Sequence, residues 1–128
     1  MALPTGSGSE VLYRGSAHAL SNSATALKFD GTANSTVGTN TVTVPSLNII
    51  TLLSISFTDA GASAEIINMI INEGSNDIYL LKGQSLPANG TFVFSDKVVI
   101  GAGDKVTVFA DATANIDIWY SYIKQDWT

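Results

Sequence analysis

The chain has no cysteine and a single histidine, His18, in 128 residues. The first absence removes disulfides, zinc–thiolate sites and thiol nucleophiles together. The second means that any imidazole-based triad or metal site would have to be built around one ring. His18 is expected to be hydrogen-bonded or exposed rather than functional. Charge is scarce as well: charged residues make up 13 % of the chain, with six Lys and Arg against eleven Asp and Glu and a net charge of −5. A chain so poor in clustered cations is not expected to neutralise nucleic-acid phosphates or to hold an anionic membrane. Long apolar runs are also missing. Runs such as Ile49–Leu53, interrupted by Thr51, fall far short of the ~20 residues that span a bilayer. The opening residues, from Met1 through Pro4 to Ser9, have neither a basic start nor an apolar segment, so they do not read as a secretory signal. The expectation is a soluble chain made in a cytoplasm.

Reactive motifs are equally thin. Gly101-Ala102-Gly103-Asp104 lacks the following helix and the Lys-Ser/Thr ending of a phosphate loop. Gly6-Ser7-Gly8-Ser9 has no strand before it and cannot form a nucleophile elbow. Asp96, Asp104, Asp111 and Asp117 could gather at one end and hold calcium, but acids in β-turns more often serve turn geometry. Asn34-Ser35-Thr36 and Asn89-Gly90-Thr91 match the glycosylation acceptor pattern, which a Ser/Thr/Asn-rich chain meets by chance. No acid pair stands at a recognisable spacing. No catalytic residue, metal ligand or cofactor is therefore assigned, and the chain is not expected to be an enzyme.

What the sequence does contain is a rhythm. From Leu86 to Ile123, short β-branched and aromatic runs alternate with clusters of Gly, Pro, Asn and Asp. Strands are expected at Thr91–Phe94, Lys97–Ile100, Lys105–Phe109 and Ile116–Ile123, a pattern typical of an antiparallel sandwich or barrel. Earlier in the chain the same signals predict Val11–Arg14, Ala24–Phe29 ending at Asp30-Gly31, Thr41–Val44 stopped by Pro45, and Leu47–Thr58. In Leu47–Thr58, alternation puts Leu53, Ile55 and Phe57 on one face. Ala64–Asn72 admits two readings. Ile66, Ile67, Ile70 and Ile71 follow helical spacing, with Ser63 as a cap and Gly74 as a stop. The β-branched residues and the strands on either side favour a strand. Ile78–Leu81 follows, with Lys82-Gly83 expected to end it. The fold class expected is all-β: one antiparallel, jelly-roll-like β-sandwich of about eight to ten strands over residues 11–128. Residues 1–10, rich in Gly, Ser and Pro, are expected to form an extended arm that contacts a neighbouring subunit.

Face assignment nominates three aromatic residues for contact with a partner. Ile116, Ile118, Tyr120 and Tyr122 share a face of the last strand, which leaves Trp119 on the other; Val106 and Val108 likewise oppose Phe109. If the aliphatic faces look inward, Phe109 and Trp119 look outward. Single exposed aromatics are ordinary, whereas two on adjacent strands could form a contact patch. Trp127, almost at the end, is placed where a partner could receive it.

The stretch from Leu47 to Lys124 resembles the small β-sandwich virion proteins of tailed bacteriophages. The likeness lies in an apolar strand, a Gly/Ser turn, Asn76-Asp77-Ile78-Tyr79-Leu80-Leu81-Lys82-Gly83, then Ser85-Leu86-Pro87-Ala88-Asn89-Gly90-Thr91. A Lys-Val-Val-Ile strand, Ala102-Gly103-Asp104-Lys105-Val106 and the closing strand Ile116–Tyr122 complete it. Residues 1–46 carry none of these turns. The resemblance implies a non-enzymatic structural protein of the virion. It would be a capsid decoration or cement subunit whose partner is the major capsid protein, often assembled as a trimer. A tail, neck or fibre component is the nearest alternative. A different class of alternative is a carbohydrate- or receptor-binding module, in which Trp119 and a tyrosine would stack on sugar rings.

Overall fold

The computed structural model describes residues 9–29 and 43–127, and every regular element in them is a strand. These are β1 (Ser9–Leu20), β2 (Thr25–Ala26), β3 (Asn48–Asp59), β4 (Glu65–Glu73), β5 (Asn76–Leu86), β6 (Thr91–Phe94), β7 (Val98–Ile100), β8 (Lys105–Ala110) and β9 (Ile116–Asp126). They form two antiparallel sheets. The first runs β1-β9-β3-β6, with β7 also on β3, and the second runs β2-β8-β4-β5. Strands near the two chain ends thus lie side by side and the chain repeatedly changes sheet, which is the jelly-roll arrangement. β6 and β7 share one edge of β3: β7 lies along Ile50–Leu52 and β6 along Ile55–Thr58.

Alternation fills the space between the sheets. Ile50, Leu52, Ile55, Phe57, Tyr120 and Tyr122 of the first sheet meet Ile67, Met69, Val106 and Val108 of the second, all fully buried. Each such side chain contributes roughly 1.5–3 kcal/mol relative to exposure, enough to hold the fold without disulfide or metal. At one side of this core the aromatic rings form a ladder. Tyr13 stacks on Tyr122 at 5.6 Å between ring centres, Tyr122 on Tyr120 at 5.8 Å, and Phe29 sits edge-on to Tyr122 at 5.1 Å. The Tyr120 hydroxyl donates to the Lys28 carbonyl at 2.6 Å. Gly15, opposite Tyr120 on β1, leaves room for that ring; a Cβ there would lie 2.2 Å from Tyr120 Cζ.

Several boundaries differ from expectation for physical reasons. β1 is far longer than Val11–Arg14 because it zips along nearly all of β9. Ser9 and Glu10, expected in the arm, pair with Asp126 and Gln125; the rest of the arm, residues 1–8, lies outside the described residues. Of the strand expected at Thr41–Val44, Thr41 and Val42 also lie outside them. Val44 is buried and joins the turn before β8, donating to the Asp104 carbonyl and accepting from Gly103 N–H, both at 2.9 Å. In β3 a bulge between Leu52 and Ser54 shifts the alternation, so Leu52, not Leu53, joins Ile55 and Phe57 in the core.

Ala64–Asn72 is strand, as its β-branched residues and flanking strands favour. Lys82-Gly83, however, does not end a strand. β5 runs through it to Leu86 by a bulge, with Gly83 at φ +68°. Asn68, the one polar residue in the Ile/Met run of β4, holds this bulge: its Oδ1 accepts from Gly83 N–H at 3.0 Å and its Nδ2 donates to Asp111 at 2.6 Å. The Gly83 N–H, expelled from the ladder by the bulge, finds its protein partner in this side chain.

Candidate assembly surface

The three aromatic residues nominated from sequence do not converge. Phe109 on β8 and Trp119 on β9 stand on consecutive strands that belong to different sheets. Both point away from the core, so they occupy opposite outer faces of the sandwich. The expected shared patch is thereby corrected: the chain crosses from one sheet to the other between Ala110 and Ile116. Phe109 is half-buried, whereas Trp119 is 51 % exposed. Trp127 is not a free tail. Its backbone N–H donates to the Leu47 carbonyl at 2.9 Å, and its half-buried indole has an Nε1–H with no hydrogen-bond partner among the described residues.

Around Trp119, the outer face of the first sheet is ordered in rows set by the strand register. One row runs Ser16, Trp119, Ser56 and Val93 across β1, β9, β3 and β6. Two residues further along the strands, Arg14, Ser121 and Ser54 form a polar row. The next row is Leu12, Ile123, Thr51 and Val99. Leu12 and Val99, at its two ends, are 67 % and 60 % exposed. The Arg14 guanidinium lies 4.8 Å above the Trp119 ring centre, a cation–π contact. A shallow depression opens in the middle, lined by Leu12, Tyr13, Arg14, Leu53, Ser54 and Ser121. The β3 bulge creates it by turning Leu53 outward.

Trp119 stands near the centre with Arg14 laid over it from the edge strand, Ser and Thr lie between apolar side chains, and no Lys or acid lies inside the rows, a composition that protein contacts favour. Of the acids near it, Glu10 and Asp117 stand on strand rows beyond these three. Sequence reasoning placed Trp119 on an outer face but did not name Leu12, Arg14, Leu53, Val93 and Val99 beside it. Val98-Val99-Ile100 is apolar throughout and gives no alternation by which to tell its outward residue.

The other candidates are engaged in local structure. His18 Nδ1 pairs with Asp117 Oδ1 at 2.8 Å, on a side chain 87 % exposed, and the same carboxylate oxygen accepts from Ala19 N–H at a β1 irregularity. Asp104 accepts from Gly101 N–H across its turn, and Asp111 takes the Asn68 amide. Among the described residues no three of His, Asp and Glu gather as a metal site requires. Tyr120 and Tyr122 face the core, so neither extends Trp119 into an aromatic platform for a sugar.

No protein-family model matches the chain, and no curated protein matches its sequence. Solved structures do match its fold. A chain from Bacillus endospore appendages, described as a novel family of disulfide-linked pili, aligns with TM-score 0.54 at 11 % identity, covering 100 % of this chain and 97 % of that one. A chain from the acid-stable capsid of Helicobacter pylori bacteriophage KHP30 aligns with TM-score 0.51 at 11 % identity, covering 95 % of each. The two-sheet sandwich is therefore similar, over nearly its whole length, to chains taken from a pilus and from a phage capsid.

Proposed function

We propose that this chain is a non-enzymatic structural subunit of a bacteriophage particle, a capsid decoration protein that locks neighbouring shell subunits. The observation that carries the reading is the end-to-end match, in both directions, between this small jelly roll and a phage capsid chain. The outer face around Trp119 supports it, since a central Trp capped by an Arg and flanked by exposed aliphatic side chains suits contact with protein. A decoration subunit acts through several modest contacts at once, and simultaneous engagement multiplies their strength. Trp119 anchors one such contact, residues 1–8 supply another to a neighbouring subunit, and the major capsid protein is the main partner. The location is the virion, after synthesis in the host cytoplasm.

The test uses particles made with and without this chain. Heads lacking it should assemble but rupture at lower temperature, and purified protein added back should bind at high, fixed copy number and restore stability. Failure to bind heads, or binding only at the tail, overturns the decoration role. A second reading, a filament subunit, is favoured by the pilus alignment. The chain has no cysteine, so any filament would have to form without disulfide links. Electron microscopy of the purified protein separates the two: filaments favour the second reading.

A further inference from the structure

We propose that the outer face of the first sheet binds a second copy of this chain, face to face, about a two-fold axis that runs parallel to the strands between β9 and β3. The proposal rests on the reading of Trp119 as an assembly contact and names its partner.

The register supplies the first argument. An axis parallel to the strands leaves each row facing itself and exchanges the two edges of the sheet. Leu12 on the β1 edge then meets Val99 of the second copy on the β7 edge, and the same contact forms again by symmetry. These two are the most exposed aliphatic side chains of the rows. Trp119, on one of the two central strands, lies near the axis, facing Ser56 of the second copy. Sheets packed in this way stay roughly aligned and about 10 Å apart.

Charge supplies the second. The polar row has Arg14 at the β1 edge. At the other edge, beside Leu53 and Ser54, β6 and β7 are interrupted at Ser95–Lys97, where Asp96 and Lys97 are both exposed. The two-fold brings Arg14 of each copy to the Asp96 segment of the other. No acid lies within these three rows, and in the rows beyond them Asp117 is hydrogen-bonded to His18 and Glu10 to Gln125, so a chain with net charge −5 sets few unpaired like charges against each other there.

Area supplies the third. β1, β9 and β3 are 11–12 residues long, so with β6 and β7 they present a face about 20 Å by 36 Å, or roughly 700 Å². A stable complex of ordinary size needs about 800 Å² from each partner.

Sedimentation equilibrium of the full-length chain, from micromolar to sub-millimolar concentration, tests this without any particle. The expected species is a dimer, twice the 13.4 kDa chain mass. Leu12→Lys and, separately, Val99→Lys should each weaken dimerisation at least tenfold while circular dichroism and melting temperature stay at parent values. Should one of them unfold the protein, the other carries the test. Arg14→Asp and Asp96→Arg should each weaken the dimer, and the double variant should recover most of the loss. A monomer at every concentration, a trimer, or a dimer indifferent to these four changes overturns the proposal. So does failure of the charge swap to restore association, because it removes the stated geometry. None of these results bears on add-back to heads, so the particle reading fails or stands by its own experiment.

Discussion

Gly15→Ala should destabilise the protein, and the structure gives both the sign and the size. Elsewhere in a strand, replacing glycine by alanine stabilises by roughly 0.5–1 kcal/mol, since the unfolded chain loses freedom and the strand gains a side chain. Here the new Cβ would lie 2.2 Å from Tyr120 Cζ, 2.4 Å from its hydroxyl oxygen and 2.6 Å from Cε2. The ring must retreat by more than ~1 Å to reach ordinary contact distance. It has nowhere easy to go: it is fully buried, stacked on Tyr122, edge-on to Phe29 at 6.3 Å and tied to the Lys28 carbonyl. Overpacking costs about 1–3 kcal/mol and a lost buried hydrogen bond about 1–2. After the backbone gain is subtracted, about 3 kcal/mol remains. At this chain length that lowers Tm by about 12 °C. The assay is thermal and urea unfolding of parent and variant, repeated in a Tyr120→Leu background where the clashing ring is gone. There Gly15→Ala should cost less than about 0.5 kcal/mol, leaving a coupling of more than 2 kcal/mol between the sites. A neutral Gly15→Ala in the parent, or an equal cost in both backgrounds, would refute the view that Tyr120 dictates glycine at position 15.

Other outcomes follow from single contacts. Trp119→Ala should leave Tm within about 2 °C of the parent while weakening assembly by about 2 kcal/mol, read by sedimentation; a large Tm loss with unchanged assembly would contradict the outward placement. Asn68→Ala should cost about 2 kcal/mol in urea unfolding and speed amide exchange at Gly83, whose N–H it holds. Tyr120→Phe, which keeps the ring and removes the hydroxyl that reaches Lys28, should cost about 1–2 kcal/mol by the same measurement. EDTA should leave Tm unchanged, because no metal ligand set is assigned; a fall would reveal a bound ion.

The sequence by itself determined the class of fold and most strand positions. Where one face of a strand meets the core, period-two burial is written directly into residue order, as in Val106, Val108 and Ile116–Tyr122. Turn residues such as Asn89-Gly90 and Gly101–Asp104 marked the breaks between strands. Only the tertiary structure decided where that local order is broken. The bulge that ejects Leu53 and the one at Gly83 depend on neighbouring strands and on Asn68, distant in sequence, so no window of residues contains their cause. The outer face around Trp119 was decided in the same way. Trp119 could be assigned to a face from its own strand, but the rows that join it to Val93, and Leu12 to Val99, exist only through pairing across four strands. Phe109 failed as its companion because alternation fixes which side of a strand a residue takes, whereas sheet membership is set by the topology that buries the most apolar surface.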